Sequence, residues 1–204
     1  DKQMVALQAA NYVKSGMLVG LGTGSTANYF IEELARLQRE ENLKVTTVAS
    51  STISAISAQT LGLPIVALEH INSIDLYVDG ADEITPDMTL LKGRGSDLVK
   101  EKLLAKAAKK FIVVADESKL VDHIGQNFVI PIEVIPFAWQ LAKKNLESIG
   151  GHGSLRQNAA KDGFWVTSHG SYVLDMTFDK SLDAKSLNDL ISNTPGVVEH
   201  GIFY

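Results

Sequence analysis

Residues 17–26 read Met17-Leu18-Val19-Gly20-Leu21-Gly22-Thr23-Gly24-Ser25-Thr26. A short apolar run leads into a glycine-rich turn, and a segment of helical pattern follows to about residue 40. Strand, glycine turn and helix in this order open an α/β fold. Such a turn directs backbone N–H groups at an anion, and the hydroxyls of Thr23, Ser25 and Thr26 add donors. A dinucleotide fingerprint fails twice. Position 25 is Ser where Gly is needed, and Ala49-Ser50-Ser51 supplies no acid about 20 residues on. A P-loop fails because no Lys follows Gly24. The turn is therefore either a site for a lone phosphate, or a tight glycine turn with a Ser/Thr helix cap.

The flanking sequence continues the alternation. Met4, Leu7, Ala10 and Val13 have helical spacing over residues 4–14, and Gly16 is a stop signal. Residues 45–48, 65–67, 74–78 and 111–115 read as buried strands. Residues 52–61 read as a helix closed by Gly62. Residues 96–110 read as another, with Leu98, Leu103, Leu104 and Ala107 facing inward. Short apolar strands alternating with helices predict a parallel sheet covered on both faces, with ligands at the carboxyl ends of its strands.

From about residue 127 the pattern changes. Strands are expected at 129–134, 154–157, 164–167, 172–177 and 197–203, and helices at 136–149 and 183–191. The predicted fold is α/β: a Rossmann-like large domain over residues 1–125 and 200–204, and a small α+β domain of ferredoxin-like type over 126–199.

Composition narrows the function classes. Hydrophobic residues make up 45% of the 204-residue chain and charged residues 21%, an ordinary globular balance. The absence of cysteine excludes disulfides, thiolate catalysis, Fe–S clusters and zinc ribbons, and fits a cytoplasmic enzyme. A net charge of −5 argues against a nucleic-acid binder, and the lysines of 100–110 read as a solvated helix face. No apolar stretch approaches the roughly 20 residues of a membrane helix, and residues 1–13 lack a signal-peptide pattern. The histidines His70, His123, His152, His169 and His200 have no metal-ligand spacing, so no metal is expected.

Three further clusters follow predicted strands. Asp79-Gly80-Ala81-Asp82-Glu83 crowds three acids where burial raises carboxyl pKa values; a metal site and a helix cap are the competing readings. In Lys92-Gly93-Arg94-Gly95 a fixed cation precedes a flexible turn and can meet an oxyanion. Glu101, early in the next helix, can serve as a carboxylate base, or the Glu–Lys pairing is surface decoration. In Asp116-Glu117-Ser118-Lys119 the lysine either contacts an anion or sits exposed in a loop.

Together these clusters resemble the A-type ribose-5-phosphate isomerase family. The matching blocks are Gly22 to Thr26, Asp79-Gly80-Ala81-Asp82-Glu83-Ile84, Lys92-Gly93-x-Gly95, Lys100-Glu101-Lys102 and Ala115 to Lys119. Similarity continues through Pro131-Ile132-Glu133-Val134-Ile135-Pro136 and Thr194-Pro195-Gly196-Val197-Val198. The resemblance implies interconversion of ribose 5-phosphate and ribulose 5-phosphate through an enediolate, in the non-oxidative pentose phosphate pathway, with no metal and no organic cofactor. It implies Glu101 as the base, Lys92 and Asp82 acting on charge at the enediolate oxygens, and Asp79 assisting ring opening. Thr23, Gly24, Ser25, Thr26, Lys119 and Lys2 would hold the phosphate and sugar hydroxyls, with Gly80, Ala81, Gly93, Arg94 and Gly95 also lining the substrate. It further implies a homodimer or homotetramer, and a strand beyond Tyr204. Two positions depart from the family. Arg94 replaces a small residue and either points to solvent or touches substrate. Ser96-Asp97 replaces small apolar residues. An isomerase of another aldose phosphate, a sugar-phosphate sensor and an acyl-CoA transferase are the alternatives.

Overall fold

The computed structural model describes residues 1–179 and 181–204, and these divide into two compact units. The first comprises Asp1–Ala81 and Lys100–Ser118; the second comprises Asp82–Val99 and Lys119–Tyr204. By compactness, residues 82–99, 119–125 and 200–204 group with the second unit, whereas the sequence division placed them with the first.

The first unit is a parallel sheet. Helix α1 (Lys2–Ala10) precedes β1 (Leu18–Leu21), and α2 (Ser25–Glu41), β2 (Thr46–Ala49), α3 (Thr52–Thr60) and β3 (Ile74–Asp79) follow. Strands β4 (Glu83–Ile84) and β5 (Leu90–Leu91) belong to the second unit. Helix α4 (Leu98–Ala107) then leads to β6 (Ala108–Val113). The sheet order is β2-β1-β3-β6, every pair parallel. Side chains alternate across it: Leu76 and Val78 join one apolar cluster, while Tyr77 joins another with Val48, Ile74 and Leu104. Helix α2 buries Ala27, Phe30, Ile31, Leu34 and Ala35, the spacing of one helical face. It ends at Asn42, whose φ of 57° is left-handed.

The second unit holds β7 (Ile130–Val134), α5 (Trp139–Ser148), β8 (His152–Leu155), β9 (Tyr172–Thr177), α6 (Ala184–Ser192), β10 (Val197–His200) and β11 (Ile202–Phe203). Its larger sheet is antiparallel with order β10-β7-β9-β8. With α5 after β7 and α6 after β9, this is the β-α-β-β-α-β arrangement expected of a ferredoxin-like domain. Helix α6 starts at Asp183, whose carboxylate accepts from Ser186 N at 2.7 Å. A second antiparallel sheet runs β11-β5-β4. Among the described residues no helix is long and apolar enough to cross a membrane.

Several expectations are corrected. In α1 the buried residues are Ala6, Ala9 and Ala10, while Met4 and Leu7 are exposed; alanines allow close packing on α2. Residues 65–67 contribute one isolated bridge, Thr47 to Ile65, and not a strand. In α4, Leu103 and Ala107 are exposed and Lys102 is buried. Residues 164–167 make only the isolated bridges Gln157 to Phe164 and Val166 to Tyr172. The last expected strand breaks at Gly201, whose N–H donates to Pro131 O and whose carbonyl accepts from Lys92 N, both at 2.9 Å. The two-residue strands β4 and β5 are too short to leave a periodic signal.

Candidate active site

The chain passes between the units at 81/82, 99/100 and 118/119, so three of the sequence clusters are divided between them.

In the first unit, the turn after β1 carries Gly24 at φ 109°, immediately before α2. Gly24 is the N-cap and no side chain caps the helix, so the Ser/Thr capping alternative is not what this turn does. The first N–H groups of a 17-residue helix lack intrahelical acceptors, the arrangement that receives a phosphate. Lys2 Nζ donates to Ser25 Oγ at 2.8 Å, which brings the α1 cation to the same turn. Thr23 points the other way. Its Oγ1 lies 2.6 Å from Ser51 Oγ, 3.0 Å from Ser54 Oγ and 3.2 Å from Ser50 Oγ. Ser54 Oγ donates onward to Gly22 O at 2.5 Å. These serines pin the turn from the carboxyl end of β2. In the sequence Ser50 and Ser51 stand out only for lacking an acid, although four hydroxyl residues in five, Ser50, Ser51, Thr52 and Ser54, were a usable signal.

Asp79 ends β3 and is buried. Its Oδ1 accepts from Gly80 N at 2.8 Å and Thr23 N at 3.3 Å, and the Tyr77 hydroxyl donates to Oδ2. Both oxygens are thereby held in one orientation. Tyr77, unnoticed in the sequence, has its hydroxyl pKa pushed well up, by burial first and then by the charges of Asp79 and Glu101. Glu101, half-buried near the start of α4, is thus within electrostatic reach of the Tyr77–Asp79 pair. Gly80 and Ala81 are half-buried just beyond β3.

In the second unit Asp82 is half-buried, and its N–H donates to Leu91 O at 2.8 Å. Burial raises its carboxyl pKa; Arg94, Lys92 and Lys119 pull it back, and Glu83 raises it further. Three cations from two sequence blocks, Lys92 and Arg94 from one and Lys119 from the other, therefore act electrostatically on one carboxyl. Lys92 is buried, with Nζ 5.7 Å from the Phe203 ring centroid. Gly93 has φ 95°, and a Cβ there would lie 2.6 Å from a Leu98 methyl, so position 93 requires glycine. Arg94 is exposed as a residue, yet its guanidinium stacks 4.2 Å from the Phe128 ring centroid. Gly95 is exposed and Lys119 half-buried, the latter in a short 3-10 turn over Glu117–Lys119.

Glu83 plays a different part from its two acidic neighbours. It is fully buried and accepts from Gly125 N at 2.7 Å, Asn127 N at 2.6 Å and Phe128 N at 3.0 Å. It organises the 125–128 loop on which Arg94 rests. The five-residue acidic cluster thus holds one structural carboxyl, Glu83, beside the two candidate site carboxyls Asp79 and Asp82.

Known proteins are similar to this chain in sequence and fold. The family profile of ribose 5-phosphate isomerase A (phosphoriboisomerase A) matches residues 46–204. A ribose-5-phosphate isomerase A of Methanothermobacter thermautotrophicus is 46% identical over 203 residues, covering 99% of this chain and 88% of that protein. One from Thermosynechococcus vestitus is 43% identical, covering 99% and 86%. The solved ribose 5-phosphate isomerase A of Methanocaldococcus jannaschii superposes with a TM-score of 0.93 at 41% identity, covering 99% and 89%. A D-ribose-5-phosphate isomerase solved with phospho-erythronic acid gives 0.94 at 37% identity, covering 99% and 89%. The chain belongs to the ribose 5-phosphate isomerase A family.

Proposed function

We propose that this chain interconverts D-ribose 5-phosphate and D-ribulose 5-phosphate by moving a proton between C2 and C1 through an enediolate. The observation that carries the reading is similarity over 99% of the chain to proteins named for that reaction. The phospho-erythronic acid held by one relative supports it: that acid joins a carboxylate to a phosphate, the two charges an enediolate of a phosphorylated sugar presents.

The roles follow from the chemistry. Opening the furanose ring needs a group that takes the anomeric hydroxyl proton, and Asp79, held by three donors, is the oriented acceptor assigned to it. Glu101 removes the C2 proton and returns it at C1. The hydrogen next to a carbonyl is weakly acidic, so the charge developing on the oxygen must be met by a fixed cation. Lys92 is assigned that task, with Asp82 exchanging the proton between the two oxygens. A raised carboxyl pKa suits a group that must both give and take a proton. One positioned acid–base group contributes about 10²–10⁴-fold in rate. The α2 turn with Gly24, Ser25, Thr26 and Lys2 anchors the phosphate, and Lys119 assists. Binding energy spent far from the reacting carbons then orients them. Thr23 contributes through its backbone, since its hydroxyl faces the serines. Gly80, Ala81, Gly93, Arg94 and Gly95 are assigned to lining the sugar. An aldose–ketose shift transfers no net electrons, so the reaction needs no redox cofactor.

The same reading places the protein in the cytoplasm, in the pentose phosphate pathway, as a homodimer or homotetramer. Phe137 and Leu141, 89% and 72% exposed, are apolar surface that self-association could cover. Sedimentation of the purified chain tests that point. The reaction is tested by following ribulose 5-phosphate formation from ribose 5-phosphate in the presence of EDTA, with Glu101→Gln alongside. Turnover that survives EDTA and collapses in the variant is expected; no turnover by the folded unaltered chain overturns the substrate.

A further inference from the structure

The stretch from Arg94 to Asp97 lies between β5 and α4 and belongs to neither. Its carbonyls therefore have no ladder partner, and a loop of this kind wanders unless side chains hold it. Two side chains from the ferredoxin-like part of the same unit reach it. Arg156 Nη1 donates to Arg94 O at 3.0 Å. Ser168 donates from N to Ser96 O at 3.2 Å and from Oγ to Asp97 Oδ1 at 2.8 Å.

The Arg156 contact is aimed by a second one. Its Nε and Nη2 donate to Asp175 Oδ2 and Oδ1 at 2.8 and 2.7 Å, a two-pronged pairing. Asp175 lies mid-strand in β9, opposite Pro131 of β7 and Ser154 of β8. The guanidinium is planar and rigid, so fixing two nitrogens on Asp175 fixes where the third points. Arg156 is further held by its own backbone, N to Val173 O at 2.8 Å. The result is a bracket from the centre of a sheet to the loop that follows Lys92.

We propose that Arg156, oriented by Asp175, and Ser168 are positioning residues that hold the Lys92–Asp97 loop in the conformation the isomerisation requires. This inference rests on the reaction assigned above. Neither residue touches the reacting atoms. Their effect passes through the backbone of residues 94–97 to Lys92 on one side and Leu98, the first residue of α4, on the other. A lysine at 156 carries the charge but cannot pair with Asp175 and reach Arg94 O together.

The test is steady-state kinetics of the full chain on ribose 5-phosphate, comparing the unaltered protein with Arg156→Lys, Asp175→Asn and Ser168→Ala, and recording thermal melting beside each. Arg156→Lys and Asp175→Asn are expected to lower kcat by about 10- to 100-fold with a smaller change in KM. Ser168→Ala, at an exposed position where folding is not at risk, is expected to lower kcat by about threefold to tenfold. A double variant Arg156→Lys/Asp175→Asn should lose little more than either single one, because the two residues act as one device. Unchanged kcat in Arg156→Lys and Ser168→Ala, with the unaltered chain active, overturns the inference and leaves the reaction standing. Loss of kcat that merely follows the unfolded fraction also overturns it. Absence of turnover by the unaltered chain overturns the assigned reaction and this inference with it.

Discussion

The Asp79 carboxylate fills the space a side chain at position 22 would occupy: a Cβ on Gly22 would lie 2.2 Å from Asp79 Oδ1. No neighbour can yield cheaply, because Asp79 is buried and held by Tyr77, Gly80 and Thr23. Gly22→Ala must therefore displace the carboxylate or the turn. We expect a loss of about 1–3 kcal/mol in stability and of about 100-fold in kcat. Urea unfolding and steady-state kinetics check both.

Tyr77→Phe removes one donor from Asp79 and leaves the ring packed against Phe111, whose centroid lies 4.9 Å away. The carboxylate then has a buried oxygen with one fewer partner, a cost of about 1–3 kcal/mol. Turnover should fall more with the ring-closed sugar than with its open-chain form if Asp79 opens the ring. Stopped-flow kinetics during anomeric and ring-opening equilibration separates the two.

Glu83→Gln should weaken the fold while sparing the chemistry. A carboxylate oxygen pair receives three backbone N–H groups, and an amide would turn its own NH₂ toward at least one of them. We expect a loss of about 2–3 kcal/mol, with turnover per folded molecule nearly unchanged. Chemical denaturation combined with activity normalised to folded protein is the measurement.

Arg94 is the cation that most opposes the burial-raised pKa of Asp82. Arg94→Met keeps the apolar contact on Phe128 and removes the charge, so the Asp82 pKa rises further. The acidic limb of the kcat/KM profile should move to higher pH, by less than a complete loss of all three cations would cause. A pH–rate profile of the variant that coincides with that of the unaltered chain rejects this role.

Glu133 predicts a pH-dependent stability. It is buried in β7, and burial pushes its pKa up to about 7, with Glu199 and Asp97 adding to the rise and Thr167 and Arg156 opposing it. Neither oxygen has a hydrogen bond of good geometry, although His169 Nε2 stands 2.8 Å from Oε1. The folded carboxyl holds its proton more tightly than the unfolded one, whose pKa is 4.5. Its contribution to stability is fully present below pH 4.5 and is lost as pH rises to about 7. The shift corresponds to about 3 kcal/mol. Glu133→Gln should flatten that slope in a denaturation series from pH 4 to 8, and an unchanged slope places the titration elsewhere.

Much of this was legible from residue order. Alternation of apolar runs with helical spacing names a parallel sheet, because buried strands need no polar face. Gly24 and Gly93 hold positive-φ backbone that disfavours any side chain whatever surrounds it, whereas Gly22 is required by the approach of Asp79. The four candidate clusters were visible because each sets glycines, charges or hydroxyls just beyond a predicted strand. What the tertiary structure alone decided is which side chain each group answers to. It separated Glu83 from Asp79 and Asp82, turned the Thr23 hydroxyl toward Ser51 and Ser54, buried Lys102 beside an exposed Leu103, and placed Arg94 on Phe128 near Asp82. The physical reason is range: propensity, periodicity and backbone sterics act over a few residues. Many of the hydrogen bonds that assign a role join residues far apart in the chain, such as Thr23 to Ser51, 28 apart, and Arg94 to Arg156, 62 apart, and exist only once the chain has folded.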